Sequence, residues 1–283
     1  MKKIAIVGTG IMGHGIASNF LKHGYEVYVW NRTEAKLKDL VKQGAIAVKM
    51  PKEAAEKSDL VFEVTANDQS SKKVWLGEDG IIAGSKNGKV VIASATLSTQ
   101  WIDELNKLCS KKKLHFFDMP LTGGRSGAEE GNLTLLVGGN FKELKKLDKI
   151  LKAISQKVIY FGKAGSGIRY KLLLNMLQAI HVIGLGEVLK IAEASGLDIK
   201  KVGNTLSERP GGTTTNIAWR DYKKELNPIN FSIEWITKDL GYAKELAGKI
   251  NTPLLDTALG KYKRALDSNR GQKDWTAINN EES

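Results

Sequence analysis

The first thirteen residues already narrow the choice of fold. Lys3-Ile-Ala-Ile-Val7 is short, apolar and β-branched, the pattern of a buried strand. It runs without a spacer into Gly8-Thr-Gly10-Ile11-Met12-Gly13, and a helical pattern continues through Leu21. Strand, G-x-G-x-x-G turn and helix in that order let the backbone turn tightly and approach a pyrophosphate resting on the helix N-terminus. A second strand, Glu26-Val-Tyr-Val-Trp30, follows at the distance that a dinucleotide-binding unit requires. The residues expected to cradle the cofactor are Gly8, Gly10, Ile11, Met12 and Gly13.

The end of that second strand meets the adenosine ribose, where a carboxylate would accept from the 2′-hydroxyl and select NAD. This chain has Asn31-Arg32-Thr33 instead. A guanidinium and a hydroxyl with no acid beside them suit a 2′-phosphate, so the expected cofactor is NADP, as NADPH.

The alternation of strands and helices continues, with strands at Asp59–Val64, Lys89–Ala93, Leu114–Asp118 and Gly131–Gly139, and a closing strand at Lys157–Phe161. Helices are expected near Val74 and from about Ser98 to Ser110. Such a rhythm predicts an α/β fold with a doubly wound, mostly parallel sheet. Ligands bind beyond the carboxyl ends of its strands, which points to the loops at Thr65–Asn67 and Ala95–Thr96. After the strand ending at Asp118 comes Met-Pro-Leu-Thr122-Gly123-Gly124-Arg125, a turn whose hydroxyl and backbone N–H groups suit a carboxylate.

Gly162 to Gly167 reads as a linker, and from about 166 to 195 the chain predicts one long helix. Apolar residues occupy all its sides, as in a buried helix. Lys171, Asn175 and Gln178 nevertheless fall at i, i+4 and i+7 and share one narrow face. Either they line a cleft or Lys171 snorkels to solvent from the first turn. Asn175, Gln178, His181, Glu187 and Lys190 break the apolar run, which argues against a membrane span.

At 283 residues two domains are expected, 1–163 and 164–283. The single Cys109 fits a reducing compartment, and Ile4–Val7 is too short for a signal peptide, so the expected location is cytoplasmic. The net charge of +12 comes from lysines scattered along helices, with no basic block interleaved with aromatics, so a nucleic-acid partner is disfavoured. His14, His23, His115 and His181 lack metal-ligand spacing, and no metal is expected.

Four blocks standing in one order resemble the β-hydroxyacid dehydrogenase family, which includes 3-hydroxyisobutyrate dehydrogenases and semialdehyde reductases. They are the N-terminal glycine motif, Asp118-Met-Pro-Leu-Thr-Gly-Gly through Gly131-Asn-Leu-Thr-Leu-Leu-Val-Gly-Gly139, Gly165-x-Gly-x-x-x-Lys171-x-x-x-Asn175, and Phe231 with Lys238-Asp239-Leu240. The resemblance implies an N-terminal Rossmann domain, a long interdomain helix and an all-helical C-terminal domain that often mediates dimers or tetramers. It implies Lys171 as general acid/base, Asn175 as the residue positioning substrate, and Thr122, Gly123 and Gly124 as the carboxylate site. Thr96 and Lys238 fall at positions contacting cofactor or bordering the site. Departures are Thr122 for a usual Ser, Leu174 for a second Asn, Thr65-Ala66-Asn67 for a Leu-Pro, and Ala93 for an acid on the fifth strand. Arg125, which the family does not fix, stands beside the carboxylate turn, where it either binds a second anionic group of the substrate or is a solvated rim arginine.

The reaction these residues predict is NADPH-dependent interconversion of a short hydroxy carboxylic acid and its semialdehyde. A desolvated lysine has a lowered pKa suited to acid/base work. An imine reductase and a non-catalytic nucleic-acid-binding relative are the competing readings, and retention of Lys171 with Asn175 disfavours both. Gly196 is expected to end the long helix and Asp198 to start the next; Ser207–Thr215 reads as a loop that either covers a cleft or is a passive connection. Residues 271–283 read as loose, with Asp274-Trp275-Thr276 available to a partner subunit.

Overall fold

A computed structural model of the chain describes residues 2–208, 212–249 and 251–280. It divides into two compact units, Met1–Lys171 and Leu172–Ser283.

The first unit is built on β1 (Lys3–Val7), β2 (Glu26–Trp30), β3 (Ile46–Ala47), β4 (Leu60–Glu63), β5 (Val90–Ala93), β6 (His115–Asp118), β7 (Leu121–Thr122), β8 (Leu133–Gly138) and β9 (Ser155–Gly162). Their order is β3-β2-β1-β4-β5-β6-β8-β7, with β9 also pairing β8. The six strands from β3 to β6 are mutually parallel, whereas β8 runs antiparallel to β6 and β7 and parallel to β9. Chain order reverses at β1, which carries β2 on one side and β4 on the other; the crevice at that point is where open α/β sheets take ligands.

Both faces of the sheet are covered, which is why its strands read as continuous apolar runs rather than alternating ones. On one face Ile4, Ile6, Phe62 and Ile92 join Ile16, Ala17 and Phe20 of α1 (Ile11–Lys22). On the other, Ala5, Val7, Val61 and Val91 pack with Trp75 of α2 (Asp68–Trp75) and with Trp101, Ile102 and Leu105 of α3 (Thr99–Lys111). Two expectations change here. The two-residue strands β3 and β7 are too short to give a sequence pattern. The glycine-rich stretch expected to be a turn instead becomes α4 (Gly124–Glu130), because Gly123, at φ +129°, turns the chain before Gly127 and Ala128 bury.

α5 (Ser166–Ala194) is the long helix. Its start is fixed inside the first unit by Asp118, whose carboxylate accepts from Gly165 N at 2.6 Å and Ile168 N at 2.8 Å. The approach is so close that a Cβ on Gly167 would lie 2.3 Å from the Leu136 carbonyl oxygen. Burial lifts the Asp118 carboxyl to about 6 against the two N–H bonds that favour its charge.

In the second unit Leu172, Ala179, Val182 and Leu189 of α5 form one core with residues of several further elements. Among them are Ala218 of the helical stretch discussed below, Ile233, Ile236 and Leu240 of the helix Ile233–Ala247, and Leu255 and Tyr262 of Pro253–Ala265. α5 is long and apolar enough, by length and composition, to cross a membrane, but those residues are buried in protein. It is not buried on all sides, as its sequence suggested. Leu173, Leu177 and Val188 are 52%, 50% and 45% exposed on one face, because the other helices cover only part of its circumference.

Gly196, at φ +76°, follows the end of α5, and Asp198 caps α6 (Ile199–Ser207) by accepting from Lys200 N and Lys201 N. Of the loop expected at 207–215, residues 209–211, including Pro210, lie outside the described residues, and α7 (Gly212–Arg220) is already helical. The tail is not loose: Trp275–Asn279 forms a 3-10 helix whose residues are all buried. Asp274 accepts from the Thr276 N–H and hydroxyl, and Asn279 Nδ2 donates to the Val182 carbonyl at 2.7 Å. Trp275 thus packs within its own domain; residues 281–283 lie outside the described residues.

Gly167→Ala is expected to cost about 1–3 kcal/mol, the usual penalty for overpacking a rigid contact. Gly184→Ala on the same helix, where a Cβ meets nothing within 4 Å, should stabilise by about 0.5–1 kcal/mol. Urea unfolding of the two variants checks both signs.

Candidate active site

The glycine turn is held from three sides. Gly8 N donates to the Trp30 carbonyl at 2.8 Å, and Thr9 N donates to Asn31 Oδ1 at 3.1 Å. Asn31 Nδ2 donates in turn to the Thr33 carbonyl at 3.0 Å, so one amide ties the ends of β1 and β2 together. A Cβ on Gly13 would sit 2.0 Å from the Gly8 carbonyl oxygen, which forces glycine where helix meets turn. Gly10 is the reverse case: it is exposed and a Cβ there would meet nothing within 4 Å. Gly10 caps α1 without a side-chain bond, and no acid stands in the first turn of the helix. Ile11 and Met12 are half-buried beside it. Open space before an uncapped helix N-terminus fits the pyrophosphate of a dinucleotide.

Arg32 and Thr33 are exposed beyond β2. Thr33 stands at the N-cap of the short helix Glu34–Leu37 but makes no side-chain capping bond. Its hydroxyl is therefore not committed to that helix.

Across the crevice, the segment after β4 lies against the turn: a Cβ on Gly8 would be 2.4 Å from the Val64 carbonyl oxygen. Thr65 donates both its N–H, at 3.0 Å, and its hydroxyl to Glu63 Oε1. Asn67, expected among the cofactor contacts, caps α2 with its Oδ1, accepting from Ser70 N at 2.9 Å in a reciprocal capping box. Thr96 is half-buried after β5, and Ser98 caps α3 while donating its N–H to Asp68 Oδ1.

Thr122 is half-buried on β7, and Gly123 and Gly124 are exposed at the start of α4. α4 is seated on α1 by Asn19, whose Nδ2 donates to the Ala128 carbonyl at 2.8 Å. The carboxylate-suited turn and the glycine turn therefore hang on the same pair of helices. Arg125 lies 3.6 Å from Glu129, and its Nε is buried without a hydrogen-bond partner.

Lys171 and Asn175 stand one turn apart on α5, about 6 Å along the axis. Lys171 is partly buried and Asn175 is 3% exposed. Asn175 Nδ2 donates to Asp239 Oδ2 at 2.6 Å, and Lys238 Nζ lies 2.8 Å from Asp239 Oδ1. Asp239 is itself buried, so a carboxylate neutralised by Lys238 fixes which way the Asn175 amide points. Phe231, the other residue of that block, packs against Trp235 and Trp275.

Two residues gain importance that the sequence did not give them. Asp239 was part of a recognised block without a role; its signal was an acid on the buried face of a helix. Glu63 is fully buried at the end of β4, where Thr65 bonds its carboxyl and Ser71 and Trp75 approach it as weaker polar partners. Burial raises it to about 7, and the polar neighbours only partly offset that. Among the described residues no group of three or more His, Cys, Asp or Glu side chains could hold a metal ion.

Residues 3–162 match the NAD binding domain of 6-phosphogluconate dehydrogenase, and residues 165–280 match the NAD-binding domain of NADP-dependent 3-hydroxyisobutyrate dehydrogenase. The chain belongs to the β-hydroxyacid dehydrogenase family. It is an oxidoreductase with nicotinamide dinucleotide-binding domains. An uncharacterised oxidoreductase of Shewanella frigidimarina is 33% identical over 92% of this chain and 90% of its own. An NAD-dependent L-serine dehydrogenase of Pseudomonas aeruginosa is 28% identical over 98% and 97%. The Mycobacterium tuberculosis 3-hydroxyisobutyrate dehydrogenase with L-serine superimposes with a TM-score of 0.86 at 24% identity, covering 99% of this chain and 98% of that one.

The Glu63 carboxyl has a folded pKa above its ordinary value of 4.5, so its protonated form favours the fold. That advantage is complete below pH 4.5 and is lost as pH rises through about 7. Glu63→Gln should therefore gain on the wild-type chain by about 3 kcal/mol between those limits and no further above them. Urea titrations across that pH range measure the difference.

Proposed function

We propose that this dehydrogenase uses NADP(H) to interconvert a short hydroxy carboxylic acid and its semialdehyde. The observation that carries the reading is the Lys171–Asn175 pair, one helical turn apart, with the amide held by buried Asp239. A cationic donor beside an oriented amide suits an oxygen that gains negative charge.

The bound cofactor supplies hydride to the carbonyl carbon, or accepts it in the reverse direction. Lys171 delivers the proton to the carbonyl oxygen during reduction and removes it from the hydroxyl during oxidation. Asn175 holds the substrate oxygen against Lys171. Thr122 with the backbone N–H groups of Gly123 and Gly124 binds the substrate carboxylate, and Arg125 receives a second anionic group where a substrate has one. The open turn at Gly10 and the first turn of α1 take the pyrophosphate, Thr65 and Thr96 border the nicotinamide half, and Lys238 supports the site through Asp239. Arg32 with Thr33 receives the 2′-phosphate; no acid at the end of β2 opposes it. The exposed face of Leu173, Leu177 and Val188 supports assembly as a homo-oligomer, and the single cysteine supports a cytoplasmic location.

Lys171→Ala is expected to lower kcat by about two to four orders of magnitude. The assay is NADPH oxidation, followed by absorbance, with glyoxylate, succinic, methylmalonate and tartronate semialdehydes. Turnover at the wild-type rate in this variant would remove the general-acid assignment. In the same assay Arg32→Ala should raise the KM for NADPH about tenfold or more while leaving that for NADH within about twofold, as loss of a phosphate ion pair requires.

A further inference from the structure

We propose that Glu63 is a proton-linked positioning residue of the dinucleotide site: its carboxyl sets the Thr65 turn and takes up a proton when the anionic cofactor settles on the adjoining glycine turn. The proposal rests on the reading of that turn as the pyrophosphate site. Glu63 Oε1 accepts both the N–H and the hydroxyl of Thr65, while Oε2 is buried with no hydrogen-bond partner. In register, β1 presents Val7 and β5 presents Ala93 on either side of it. α2 presents Ser71 and Trp75. The charged residues of α2 are Asp68, which accepts from the Ser98 N–H and hydroxyl, and Lys72 and Lys73, whose side chains are exposed. No cation among these elements is placed to hold the carboxylate in its charged form.

The grip on Thr65 matters because Val64 and Thr65 abut Gly8, the first residue of the turn. Phosphate charge arriving at the N-terminus of α1 meets a buried carboxylate one strand away, through protein rather than water. Two like charges so placed disfavour each other strongly, and the carboxylate, already near its titration point at about 7, yields by protonation. The proton comes from solvent and no bond to the cofactor forms or breaks. The neutral acid still accepts from Thr65 N and gains an O–H able to donate to Thr65 Oγ. The Thr65 O–H, its bond intact, then rotates away from Glu63, so the same event that neutralises the carboxyl turns Thr65 outward as a donor.

The test is calorimetric titration of the full-length protein with NADPH at about pH 7.5, in buffers of different ionisation enthalpy. Wild type should take up roughly half a proton more than Glu63→Gln, since any titration of the cofactor's own phosphate is common to both and cancels. With rising pH the wild-type Kd should also weaken relative to that of the variant, by up to about tenfold per unit. Equal proton uptake with equal pH profiles overturns the role of Glu63 while leaving the cofactor site standing. A wild-type chain that binds neither NADPH nor NADH at any pH overturns both readings. Infrared difference spectra of wild type alone serve if Glu63→Gln does not fold. A neutral carboxylic acid C=O band should appear on adding NADPH at about pH 7.5, and its absence overturns the proposal.

Discussion

One buried carboxylate decides where the long helix leaves the sheet of the first unit. Asp118 ends the last of the six parallel strands and takes the N–H groups of Gly165 and Ile168. It thereby supplies what the start of α5 lacks, acceptors for donors that no turn of helix precedes. The helix is pressed onto the sheet so tightly that no side chain fits at Gly167. Lys171 lies one turn beyond Gly167 on the same helix, so within the first unit it is indexed to the sheet by helical backbone rather than by a loop.

Much of this was legible in the sequence, because the signals are local and strong. A strand flowing into Gly8-Thr-Gly10-Ile-Met-Gly13 can do little else, and the lysine–asparagine spacing of α5 declares a shared face before any coordinates exist. The features that stayed hidden depend on what lies opposite. Two-residue strands such as Leu121–Thr122 have no period to read. The exposed face of Leu173, Leu177 and Val188 looks identical in sequence to the buried one. Trp275 in a polar tail reads as loose until Phe231, Asp274 and Tyr262 are seen around it. Asn67 belongs by position to the loop expected at the cofactor, and its capping bond to Ser70 shows only in the local geometry.

Glu63 shows the same limit from another side. The resemblance places an acid on the fifth strand, where this chain has Ala93. The β4–β5 register sets Glu63 directly beside Ala93. The buried acid is thus present on the neighbouring strand, in the same layer of the sheet. A comparison made position by position reports a loss at one site and an unremarkable glutamate at another. Only the pairing of the strands shows that the two positions are adjacent.

The boundary between the two compact units falls between Lys171 and Leu172, within an unbroken run of helical hydrogen bonds. That has a consequence for how such a chain can be divided or recombined. Cutting where the packing divides would leave one fragment with a helix of six residues and the other with a raw helical end, each with unmet backbone groups. It would also part Lys171 from Asn175. The two folded bodies are therefore not interchangeable modules. A viable exchange has to carry α5 whole, with the Asp118 side of its socket, so the helix and the strand end that caps it form one heritable piece.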